Sequence, residues 1–177
     1  MDTNLWHDIK REKNSPNIVK VVVETPMGSR NKYEYDKEYN IMRMDRILYS
    51  PVHYPGDYGF IPQTYAEDGD ALDVLVLVTE ATYPGIIIRA RPICLLRMID
   101  QGTYDDKIIC VPVNDPRYKK VRDKKDLPPN ILEEIEHFFN VYKHLEGKIV
   151  KTGGWKGAAI AKKVIEHSIK LYERKFS

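Results

Sequence analysis

Residues 67–73, EDGDALD, place Glu67, Asp68, Asp70 and Asp73 in one turn that opens onto the branched aliphatic run VLVLV. Asp68 and Asp70 flank Gly69, so the chain itself holds them as neighbours. Two unit charges about 5 Å apart repel by about 1 kcal/mol in water and by about 3 kcal/mol at an effective dielectric of about 20. Such a turn stays solvated, takes up protons or gathers a cation. Taken alone, DGD also reads as a polar hairpin turn. A second turn, DQGTYDDK over 100–107, adds Asp100, Asp105 and Asp106 and lets two loops present carboxylates to one space. Oxygen-only donor sets suit magnesium, manganese or calcium and disfavour zinc. The five histidines are scattered and form no HExxH pair. A calcium EF-hand counted from Asp68 fails at its sixth position, Asp73 instead of Gly, and at its twelfth, Thr79 instead of Glu. Magnesium is the expected ion.

Cations accompany the acids. Lys32, Arg46 and Lys107 lie on strand-like segments beside the acidic loops. Arg binds phosphate oxygens bidentately and Lys acts as a point charge, so metals with both residue types describe a site for a phosphate ester or anhydride. Tyr54, Tyr58 and Tyr142 can donate hydroxyl hydrogen bonds, although Tyr142 also falls on the apolar side of a helical segment.

The elements that must position these groups follow from periodicity. NIVKVVVETP (17–26) reads as a strand ending in a turn. NKYEYDKEY (31–39) alternates, with Lys32, Glu34 and Asp36 on one face and Tyr33 and Tyr35 on the other, which suggests a polar groove. IMRMDRILYS (41–50), ALDVLVLVTE (71–80), IIIRARPICLLRMI (86–99) and KIICVPVND (107–115) continue the strands, with edges, bends or bulges expected at Pro92 and Pro112. SPVHYPGDYGFIPQTY (50–65) reads as a structured loop. Helical spacing appears in 128–147, through Leu132, Ile135, Phe139 and Tyr142, and in 157–176, through Ile160, Val164, Ile165, Ile169 and Tyr172. Strands followed by two C-terminal helices predict an α+β fold with a small closed antiparallel β-barrel that removes sheet edges.

The 177 residues fit a single domain over 1–177. With 42% hydrophobic and 31% charged residues, the chain is too apolar for disorder and too charged for a membrane protein. The opening MDTNLWHDIKREKNSPN has no secretory pattern, so a cytoplasmic location is expected. Cys94 and Cys110 sit in apolar stretches and are expected as buried reduced thiols. A net charge of +2 is too small to imply nucleic acid.

YPGDYGFIP, DGDALDVLV, MIDQGTYDDK, HFFNVYKHLE and GGWKGAAIAKK, together with VVVETP and KYEYDK, resemble the soluble family I inorganic pyrophosphatases of prokaryotic type. The resemblance runs from about residue 17 to the carboxyl end, in family order. It implies an OB-type barrel and hydrolysis of pyrophosphate to two phosphates by several Mg2+ ions, with Mn2+ or other divalent ions as substitutes. It implies metal ligation by Asp68, Asp73 and Asp105, by Asp100 for an ion arriving with substrate, and by Glu24 and Glu34 as outer acids. It further implies phosphate binding by Lys32, Arg46, Tyr58, Lys107, Tyr142 and Lys143, with Tyr54 as a neighbouring tyrosine. Asp70 matches the general base, which takes a proton from a water bridging two metal ions. A homohexamer is implied as well, with pyrophosphate as partner and neither nucleic acid nor membrane.

The chain departs from the family pattern at Ala71, where members of the family it resembles usually carry proline. A less pre-organised turn and weaker metal binding are expected there. Gln101 and Tyr104 replace acids that relatives often have. Two other readings compete: a small barrel binding single-stranded nucleic acid, and a phosphatase with an aspartyl nucleophile. The acidic loops would repel a nucleic-acid backbone, and DGDALD precedes its strand where an aspartyl nucleophile would follow one.

Overall fold

A computed structural model of the chain describes residues 3–176. The elements in chain order are β1 (Val19–Thr25), β2 (Asn31–Asp36), β3 (Ile41–Ile47), β4 (Asp57–Ile61), β5 (Leu72–Val76), β6 (Ile87–Asp100), β7 (Thr103–Tyr104), β8 (Lys107–Pro112), α1 (Pro129–Val141), β9 (Val150–Gly157) and α2 (Ala158–Phe176). Together they form an α+β molecule with one mixed sheet, a separate β2–β3 ribbon and two helices.

Hydrogen bonding runs from β1 through β4, β5, β8 and β6, and β6 pairs in turn with β1. The long β6 also carries β7 and β9. Pairing is not wholly antiparallel as the sequence suggests: β5 and β8 run parallel, with Val74 opposite Ile108. The chain between them includes the whole of β6, long enough for the crossover that a parallel pair requires.

Two further expectations are corrected, and one strand was not anticipated. The segment 50–65 is not all loop, because Asp57–Ile61 is a strand buried at every position. A strand covered on both faces shows no alternation, and its flanking prolines and glycines mask it. The strand β9, VKTGGWKG, was hidden by its paired glycines. The first helix stops at Val141, with Tyr142 as its C-cap, and Gly147 instead closes a short 3-10 turn over His144–Glu146. At Pro92 the β6–β8 register shifts before Cys94, which is the bulge its proline demands. Both cysteines are free and buried.

One apolar cluster joins β5, β6 and β8 to Ile135, Phe138 and Phe139 of α1. Another joins β1, β5, β6 and β8 to Ala161 and Ile165 of α2. A third gathers Val22, Tyr35, Phe60 and Ala71 around Trp6. No helix among the described residues is long and apolar enough to cross a membrane. Strand β4 lies so close to β1 that a Cβ on Gly59 would come within 1.9 Å of the Val22 carbonyl oxygen. Gly59→Ala must push backbone against backbone, so we expect a loss of about 3 kcal/mol or more in chemical denaturation. A variant as stable as the parent would contradict this packing.

Candidate active site

At the mouth of the sheet, strand ends and turns bring charged side chains to one cavity of about 460 Å³. Glu24 comes from β1, Lys32, Glu34 and Asp36 from one face of β2, and Tyr58 from β4. Asp68 and Asp70 come from the turn before β5 and Asp73 from β5 itself. Asp100 ends β6, Asp105 lies in the turn between β7 and β8, and Lys107 opens β8. Tyr142 and Lys143 follow α1.

Lys107 is the centre of this arrangement. Its side chain is 1% exposed, and its ammonium donates to Asp73 Oδ2 and, at 2.5 Å, to Asp105 Oδ1. Tyr58 donates its hydroxyl to the same Asp73 oxygen at 2.6 Å. Burial pushes Asp73 up, but the charge and hydrogen bonds of Lys107, with the Tyr58 bond, outweigh it and hold this carboxyl below its ordinary range. Asp105 is pushed up to about 6, by burial first and by Asp73 beside it, against the pull of Lys107. Asp68 is raised by burial. Lys143 pairs with Asp100 Oδ2, while Asp100 Oδ1 is buried without a partner. Lys32 pairs with Glu34.

Arg46 and Tyr54 do not line the cavity. Arg46 is held by Glu146 at 2.9 Å and Asp45 at 2.5 Å, leaving Nη2 buried and unpartnered. Tyr54 is 2% exposed, packs against Phe138 and Tyr58, and also has an unpartnered hydroxyl. Asp106 turns away to Arg97 at 3.2 Å and accepts from the Met98 N–H. Sequence reasoning passed over Trp6, Lys37 and Arg43, which also line the cavity. The expected strand over 31–39 named only Lys32, Glu34 and Asp36 on its polar face, but β2 stops at Asp36 and the following turn brings Lys37 to the cavity. Trp6 sat in a segment that looked only polar. Its one signal was a large aromatic side chain among charges.

Among the described residues no three acidic, His or Cys side chains converge as a ready-made metal group. The donor set nevertheless fits hard divalent ions: it is all oxygen, one Asp100 oxygen lacks a donor, and Asp73 and Asp105 are held together by an ammonium. Among the acids that line the cavity, Asp68, Asp73, Asp100, Asp105, Glu24 and Glu34 could hold such ions.

The Glu24 carboxyl, which accepts the Tyr35 N–H at 2.8 Å, is pushed up to about 8 because burial penalises its charged form. Between its ordinary 4.5 and about 8, the folded chain keeps a proton that the unfolded chain has lost. That contribution to stability is therefore complete at low pH and declines as pH rises through this window. Without divalent ions, the melting temperature should fall from about pH 5 to about pH 8, and Glu24→Gln should flatten the fall. Equal slopes in the two proteins would remove Glu24 as the cause.

The inorganic pyrophosphatase family model matches residues 21–173. The inorganic pyrophosphatase of Haloferax volcanii is 53% identical over 175 residues, covering 98% of this chain and 99% of that protein. That of Picrophilus torridus is 46% identical over 176 residues, covering 98% and 99% respectively. The crystal structure of inorganic pyrophosphatase from Thermus thermophilus superposes with a TM-score of 0.93 at 41% identity, covering 97% of this chain and 99% of that one. A cavity ringed by acids and lysines, a match across most of the chain and a shared fold have one reading: the chain belongs to the inorganic pyrophosphatase family.

Proposed function

We propose that this chain hydrolyses inorganic pyrophosphate to two orthophosphates, with Asp70 as general base and with several divalent ions, Mg2+ foremost. The observation that carries the reading is the convergence on one cavity of carboxylates with Lys32, Lys107 and Lys143. A diphosphate needs both: ammonium groups bind its oxygens, and carboxylates hold the counter-ions that accompany it. Asp68, Asp73, Asp100 and Asp105 would hold the ions, supported by Glu24 and Glu34. Bound divalent ions supply neutralisation of the diphosphate and a lowered pKa for water. Lys32, Lys107, Lys143, Tyr58 and Tyr142 orient the phosphates. Arg46, whose Nη2 lacks a partner, is the further phosphate-binding group of this reading, and Tyr54 backs Tyr58. Asp70, lying between Asp68 and Asp73 and more exposed than either Asp73 or Asp105, accepts the proton of the attacking water.

The hydrogen-bonded circuit through β1, β4, β5, β8 and β6 supports a closed OB-type barrel. The chain acts as one domain in the cytoplasm and assembles as a homohexamer, a reading supported by exposed apolar side chains such as Ile41, Ile47 and Tyr83. Sedimentation of a monomer would end the last point. Nucleic-acid binding is not favoured, because the cavity wall carries acids that repel a phosphate backbone. The deciding assay is phosphate release from pyrophosphate with Mg2+ and with a chelator. Release only with the metal is expected. No release in either condition, with salt-sensitive oligonucleotide binding, would overturn the proposal.

A further inference from the structure

Asp70 is anchored by one oxygen. Its Oδ1 accepts the Ala71 N–H at 2.7 Å and the ammonium of Lys37, while Oδ2 has no protein donor among the described residues. Lys37 is itself placed by an aromatic ring: its Nζ lies 4.4 Å from the centre of the Trp6 indole. Trp6 is 6% exposed, and its Nε1 donates to the Thr64 carbonyl at 2.9 Å. Thr64 also accepts the Leu72 N–H through Oγ1 at 2.9 Å, and the Ala66 N–H donates to the Asp70 carbonyl at 2.8 Å. Indole, lysine and acidic turn therefore share one support, residues 64–66.

We infer that Lys37, seated on the Trp6 ring, is a positioning residue for Asp70. It fixes one carboxylate oxygen and leaves the other free to meet the attacking water. This rests on the assignment of Asp70 as general base. Ala71 makes the device useful, since the turn lacks the stiffness a proline would give and an ammonium tether replaces part of it. Lys37 acts through Asp70 and not on the phosphates, so its loss should appear in kcat and leave KM unchanged.

The test is a double-mutant cycle on Lys37 and Asp70, with pyrophosphate and saturating Mg2+. Lys37→Met should lower kcat about 3- to 5-fold, the most that losing a solvated ion pair can take from the positioned state, and well short of the about 100-fold that a 1 Å misplacement can cost. Lys37→Arg should recover most of the loss, because the guanidinium keeps both the charge and the ring contact. In an Asp70→Asn background, Lys37→Met should cost little more, since residues that act as a unit are not additive. A rise in KM alone, no rescue by Arg, or full additivity with Asp70→Asn would each overturn the inference. Should Lys37→Met melt early, Lys37→Gln gives the same reading. Wild-type turnover by Asp70→Asn would instead overturn the assignment of Asp70, so the two failures are distinguishable.

Discussion

Asp70→Asn should lower kcat for pyrophosphate by about 100-fold or more, the usual range for loss of a general base, the role proposed for Asp70. The amide is nearly isosteric, and its oxygen can still accept the Ala71 N–H that the carboxylate accepts at 2.7 Å. What it lacks is the basic lone pair. The Asp70 side chain is 54% exposed, and its pair with Lys37 is a solvated one, worth about 0–1 kcal/mol. Folding should therefore be spared, with the melting temperature displaced by no more than roughly 4 °C. A stopped assay of phosphate release beside a thermal melt separates the two effects. Turnover at the parent rate would remove Asp70 from proton transfer, whatever the metal dependence.

Lys107→Met acts on both stability and activity. The methionine keeps much of the volume but withdraws the ammonium that bonds Asp73 and Asp105 from a position 1% exposed. Removing one partner of a buried ion pair costs about 3–5 kcal/mol, because the charge left behind has no compensation. In a chain of this size that lowers the melting temperature by roughly 6–20 °C. Two acids then face each other with only the Tyr58 hydroxyl on Asp73. The loss should shrink at low pH, where both carboxyls take up protons, and shrink again on adding Mg2+, which replaces the missing charge. Activity should fall with it, since Lys107 is also assigned to substrate phosphate. A melting temperature equal to the parent's, without metal at neutral pH, would show that the pair is not compensating buried charge.

The legible part of this molecule was its polar chemistry. The DGD turn and the second acidic loop announced themselves because like charges beside an aliphatic strand need an explanation, and the structure places Asp68, Asp70, Asp73, Asp100 and Asp105 on one cavity. The alternation in KYEYD grouped Lys32, Glu34 and Asp36, which line it, although Tyr35 of the other face borders it too. Burial on both sides hid β4, because a strand without a wet face carries no period of two. Direction in the β5–β8 pair was hidden as well, since pairing depends on what crosses between two strands and not on either strand's residues. Long-range packing was least visible: Trp6 and Lys37 are 31 positions apart and meet only after the chain folds. Arg46 shows the complementary limit, because a side chain's residue type says what it can bind and not which acids, here Asp45 and Glu146, the fold brings to it.

The most direct test is a crystal grown with Mn2+ and a non-hydrolysable diphosphate analogue, with data collected for the anomalous signal of manganese. Peaks among Asp68, Asp73, Asp100 and Asp105, with the analogue on Lys32, Lys107 and Lys143, are predicted. Acids turned outward to bulk solvent, with the analogue present and no anomalous peak between them, would contradict the claim that divalent ions reconcile these carboxylates with each other and with a diphosphate.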